Sequence, residues 1–177
     1  YKYDTDRKVR ARLGIKLAAV LWRFLREHEH HIAEAAGISH FDAVTSVPGT
    51  KQRDGAHPLD LIVSKVIGQT RDRYGQLLEL GPNGTAEGRA VLADRYRAAR
   101  AFRQEANVLV IDDTWTTGGR VQSAALALRE AGAAKVAVVI VGRHFDRSFG
   151  TCESYYQQAR RRAFTWDRCC LESSARR

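Results

Sequence analysis

The sequence predicts an α/β fold, a mostly parallel doubly wound sheet flanked by helices. Two short runs, Asn107 to Ile111 and Lys135 to Val141, are apolar at every position but their polar first residues. Such runs mark strands buried on both faces. The segments around them carry apolar residues at three- and four-residue steps, as helices covering a sheet do. Turn residues such as Pro48-Gly49 and Gly81-Pro82-Asn83-Gly84 punctuate the alternation.

From Asp6 to about His31, Val9, Leu13, Leu17, Val20, Leu21 and Phe24 trace one amphipathic helix. Phe41 to Val47 is short and partly β-branched, a strand closed by Pro48-Gly49. A second helix begins near Pro58, suited to a first helical position, and should bury Leu59, Ile62, Val63, Val66 and Ile67. Tyr74 to Leu80 predicts a strand. Thr85 to Gln104 is rich in Arg and Ala with no clear period, and helix, loop or a mixture all fit it. Gly118 to Glu130 predicts a helix stopped by Gly132, and Cys152 to Arg162 a last one. The 177 residues suit a single domain spanning 1–177.

The formal net charge is +9, with Arg in excess over Lys, which favours anionic partners: nucleic acid, acidic lipid or a phosphorylated substrate. No apolar run approaches the ~18 residues of a membrane helix. No signal or transit peptide is visible, and with three cysteines (Cys152, Cys169, Cys170) the chain reads as cytoplasmic. The lack of an initiator Met suggests a start inside a longer chain.

The segment Val108 to Arg120, VLVIDDTWTTGGR, carries the chemistry. Ligands of parallel α/β sheets bind where strands end and loops lead into helices. Gly118 and Gly119 let the backbone approach a ligand. The helix start offers N–H groups and partial positive charge, and Thr116 and Thr117 add hydroxyls, so a phosphate monoester fits there. Asp112 and Asp113 repel phosphate; their partners are a vicinal diol or a divalent cation. A diol beside a phosphate is a ribose 5-phosphate. The plain alternative is that the two acids end a strand and cap a helix.

This stretch resembles the type I phosphoribosyltransferase motif, and its flavour is similar to the ComF-like branch, a group linked to DNA uptake and described as amidophosphoribosyltransferase-like. Also similar to that branch are Tyr1 to Leu21, Val47 to Leu59, Asp94 to Phe102 and Ala131 to Arg143, so the resemblance runs from Tyr1 to about Arg143. It implies the type I phosphoribosyltransferase fold. Asp112 and Asp113 would hold the ribose hydroxyls and, indirectly, a metal, with Thr114 beside them and Thr116, Thr117, Gly118, Gly119 and Arg120 forming the 5′-phosphate loop. The pyrophosphate of 5-phosphoribosyl 1-pyrophosphate (PRPP) would sit on the loop after the first strand, at Val47, Pro48, Gly49, Thr50, Lys51 and Arg53; the plain alternative there is an ordinary polar turn with solvated cations. Residues 81–104 would be a hood loop over the reaction centre, and 144–177 a C-terminal extension. Arg95, Arg97 and Arg100 are either pyrophosphate contacts or a solvated face.

The implied activity is Mg²⁺-dependent transfer of the phosphoribosyl group to a nitrogen nucleophile, releasing pyrophosphate. The alternative is a non-catalytic PRPP or nucleotide binder acting through a protein or nucleic-acid partner in DNA uptake or nucleotide regulation. Self-association is compatible with either. Three departures from the family stand out. Thr114 and Trp115 occupy usually aliphatic positions, Arg120 replaces a Ser or Thr, and Thr116 stands where the hypoxanthine–guanine branch has an acid. The last argues against a 6-oxopurine substrate. The Cys-rich zinc segment common at the start of ComF-like proteins is absent from these residues. His28 and His31 share a helix face and are either metal ligands or exposed residues near a helix end. Cys169 and Cys170, with Trp166 and His144, are either a metal or redox site or simple packing.

Overall fold

The computed structural model describes residues 6–49, 57–86, 90–102, 105–144, 146–148, 150–161, 163–169 and 171. Helix α1 spans Arg7–Ala35, and the Asp6 side chain caps it by accepting from the Lys8 N–H at 2.7 Å. It runs four residues past the expected end because Ile32 and Ala33 continue its buried stripe. Gly37, at φ +73°, then turns the chain so that the Ile38 N–H returns to the Ala33 carbonyl at 3.0 Å.

Strand β1 (Ala43–Ser46) leads to a short helix α2 (Pro58–Leu61). A π-helical turn, Ile62–Val66, follows, closed by the Ile67 N–H on the Ile62 carbonyl at 3.1 Å. The extra residue in that turn changes which side chains face inward. Ile67 is fully buried, whereas Val66, expected in the core, is 62% exposed. Helix α3 (Gly68–Arg71) comes next, then strands β2 (Leu78–Leu80) and β3 (Tyr96–Ala98).

The expected strand from Tyr74 to Leu80 is divided between two partners. Tyr74 makes a single parallel bridge to Val44 of β1, while β2 pairs antiparallel with β3. The 81–84 turn makes this possible by reversing the chain. Part of the segment without a clear period is therefore strand.

Strand β4 (Ala106–Trp115), helix α4 (Gly119–Glu130), strand β5 (Ala133–Arg143) and helix α5 (Cys152–Arg160) complete the described elements. The main sheet has the order β1-β4-β5, and both of its pairings are parallel. β4 continues four residues beyond its apolar run because β5 supplies backbone partners as far as Trp115↔Arg143. The acidic pair thus lies within the strand.

Both faces of the sheet are covered. Leu109 and Ile111 of β4 join α1, α2 and the π turn in one core with Leu21, Leu25, Phe41 and Leu59. Val108 and Val110 point the other way, into a second core with Val121, Ala124 and Leu128 of α4, Leu78 of β2 and Tyr96 of β3. This is an α/β fold with a parallel sheet flanked by helices. No helix among the described residues is long and apolar enough to cross a membrane.

Candidate functional site

The C-terminal end of β4, the central strand, opens into a recess of about 70 Å³ lined by Asp112, Thr114, Trp115 and the run from Thr116 to Val121. Gly118 precedes α4 at φ +83°, a conformation that side chains resist. The N-cap residue, Gly118, brings no side chain of its own to this helix start. Its first N–H groups have no acceptor one turn earlier in the helix and face this end of the strand. Thr114, Thr116 and Arg120 are exposed, Thr117 is half-buried and Gly119 buried.

The two acids differ. Alternation along β4 sends Asp112 to the α4 side with Val108 and Val110, and Asp113 to the α1 side with Leu109 and Ile111. Asp112 accordingly lines the recess. Asp113 does not, and it is only 8% exposed. The Asp112 carboxylate also accepts the Asp113 backbone N–H at 2.8 Å, which fixes its orientation.

The loop after β1 begins beside this site. Val47 is buried in the α4-side core, Pro48 is half-buried and Gly49 exposed. Thr50, Lys51 and Arg53 lie outside the described residues. At the root of the loop the Ser46 hydroxyl donates to the Asp60 carboxylate at 2.5 Å and meets the Tyr74 hydroxyl at 2.9 Å. This ties β1 to α2 and to Tyr74, whose backbone bridges Val44. Burial, first of all, raises the Tyr74 pKa, and the nearby Asp60 charge adds to it.

Sequence reading missed Tyr96. It is 2% exposed, and its hydroxyl donates to the Pro48 carbonyl at 3.4 Å, a long bond that joins β3 to the loop after β1. Burial raises its pKa most, and the charges of Arg120, Asp112 and Arg95 act on it in turn. Tyr96 therefore stands between the two loops. The available signal was an aromatic residue within an otherwise polar arginine-rich stretch.

The three arginines of that stretch separate. Arg95 is 1% exposed, and Nη1 donates to the Ala86 carbonyl at 3.1 Å, so it is no solvated face. Arg97 pairs on the surface with Glu79 at 2.9 Å, and Arg100 is exposed. The Leu92 N–H donates to the buried Ser123 hydroxyl of α4 at 2.9 Å, which anchors this segment beside the helix.

Fold and recess together define a parallel α/β protein with a carboxylate and a helix start converging at the end of its central strand. The chain is similar to a solved structure described as the allosteric regulatory enzyme of purine biosynthesis, at 22% identity and a TM-score of 0.42. The match covers 71% of this chain and 25% of that one, so the chain spans about a quarter of that enzyme's length. A likeness at this level carries no argument about the site. No family model matches the chain, and no curated protein does.

Proposed function

We propose that the protein binds PRPP and transfers its phosphoribosyl group to a nitrogen nucleophile, releasing pyrophosphate. What supports this reading is one juxtaposition: Asp112 shares a recess with the N-terminus of α4 and with Thr116 and Thr117. The helix start and its hydroxyls suit a 5′-phosphate. A carboxylate a few residues away suits the ribose hydroxyls. The neighbouring loop, from Val47 through Thr50, Lys51 and Arg53, is the proposed pyrophosphate seat, with Tyr96 bracing it at Pro48. Residues 81–104 are the proposed hood, and exclusion of water there would protect the sugar from hydrolysis.

Carboxylate oxygens are the hard donors that Mg²⁺ prefers, so Asp112 fits a Mg²⁺ carried mainly by substrate oxygens and water. The ion would neutralise charge on the departing pyrophosphate. This chain's part is to orient the sugar and hold its phosphate.

The second reading is a non-catalytic PRPP or nucleotide binder that works through a protein or nucleic-acid partner. The net charge of +9 favours it. Incubation with PRPP, Mg²⁺ and a pool of nucleobases and amines separates the two. Pyrophosphate release that Asp112→Asn abolishes supports the enzyme; PRPP-dependent thermal stabilisation without release supports the binder. Absence of stabilisation by PRPP, ribose 5-phosphate and nucleotides alike would overturn both.

A further inference from the structure

The buried face of α1 carries a residue that neither the core nor the recess explains. His28 is 4% exposed, on the same stripe as Leu21, Leu25 and Ile32. His31 lies one turn further on, and Cys169, 2% exposed, comes from the far end of the chain. One ligand atom from each of the three lies within 4.8 Å of the other two. We propose that His28, His31 and Cys169 form a site for a soft divalent cation, Zn²⁺ by preference, that fastens the C-terminal segment to α1.

Three observations carry this. The first is a distance: His28 Nδ1 and His31 Nδ1 are 3.4 Å apart. A tetrahedral Zn²⁺ with Zn–N bonds of ~2.0–2.1 Å sets two nitrogens about 3.3–3.4 Å apart.

The second is the tautomer. His28 Nε2 lies 2.8 Å from the Trp166 carbonyl oxygen, which only accepts, so Nε2 carries the proton. In the neutral ring that leaves the lone pair on Nδ1, the atom facing His31. An imidazole donating one N–H to a backbone carbonyl while its other nitrogen points at the ion is the usual arrangement of a metal-bound histidine.

The third is the seating of the segment that brings Cys169. The Arg23 guanidinium stacks over the Trp166 ring at 4.5 Å, Phe164 meets that ring edge-on at 5.0 Å, and Leu171 packs on the α1-side core. Cys169 is thereby held against α1 from both sides. Two imidazoles and a thiolate match Zn²⁺ better than Mg²⁺ or Ca²⁺. Water or a further ligand completes the tetrahedron.

Cobalt substitution of the full chain tests the proposal. Co²⁺ should produce a thiolate-to-metal charge-transfer band and the visible spectrum of a tetrahedral site. Cys169→Ser should remove the band, and His31→Gln should weaken Zn²⁺ binding at least ~10-fold, measured against a chromophoric chelator. Cys152→Ser should leave both readouts unchanged. A band that persists in Cys169→Ser, or no Zn²⁺ bound tightly enough to compete with the chelator, overturns the site. If Cys169→Ser does not fold, His31→Gln decides, because unchanged Zn²⁺ affinity in that half-buried variant is equally fatal.

Discussion

The indole of Trp115 lies across Gly118, so a Cβ at residue 118 would run into the ring's outer edge and would also come 2.8 Å from the Gln122 amide nitrogen. Trp115 thus roofs the turn into α4. Gly118 is needed twice, for its positive φ and for the space under the ring.

Gly118→Ala should therefore destabilise the protein by about 2 kcal/mol or more in urea denaturation, since the left-handed conformation alone costs ~1–2 kcal/mol. Adding Trp115→Ala should relieve the clash with the ring and leave the backbone part. Equal losses in the two backgrounds would mean that the ring does not constrain the turn.

Asp112 and Asp113 should separate experimentally. Asp112 lines the recess, so Asp112→Asn should weaken Mg²⁺–PRPP binding at least ~10-fold by calorimetry, the loss of a charge-assisted contact. Asp113→Asn, at a buried position on the α1 side, should act first on folding stability. If Asp113→Asn weakens PRPP binding as much as Asp112→Asn while the melting temperature holds, strand alternation has misassigned the two roles.

Tyr96 and Tyr74 both have raised folded pKa values, dominated by burial. A raised pKa favours the protonated, neutral phenol in the folded state. Its contribution to stability is complete below the unfolded value of 10.0 and is lost as pH climbs through the higher folded value. Denaturation midpoints should accordingly fall above pH ~10. The fall should be shallower in Tyr96→Phe and in Tyr74→Phe, and an unaltered slope in both variants would refute the assignment.

Arg73 clamps α1, α3 and the chain leading into β1. Its guanidinium grips both oxygens of Glu29 on α1, at 2.7 and 3.0 Å, and also donates to the carbonyls of Phe41 and Gln69. The pair is about a quarter exposed or less, so solvent screens it only in part. Arg73→Met should cost about 2–3 kcal/mol of stability by chemical denaturation, because the carboxylate and two carbonyls lose charged hydrogen bonds together. A loss under ~0.5 kcal/mol would place it among ordinary surface pairs.

Residues 108–111 announced their strand because an unbroken apolar run fits a position between two layers of helix, and alternate members do enter different cores. The α1 stripe was equally legible, since helical period and buried face coincide at Leu17, Leu21 and Phe24. His28 extends that stripe, so its burial could have been inferred from spacing. Val66 misled because a π turn, with no signature in composition, shifted the helical phase.

Local periodicity and turn chemistry thus carried the layered parallel α/β architecture and the place of the turn that follows its central strand. Only the folded chain decided which distant residues meet. Tyr96 reaches Pro48 because the 81–84 turn sends β3 back along β2. His28 reaches Trp166 and Cys169 because the C-terminal segment returns to α1. Asp112 and Asp113 part company because β5 keeps the end of β4 in strand geometry. Each of these depends on chain path and pairing partners, which neighbours in sequence do not encode, whereas burial pattern is written residue by residue.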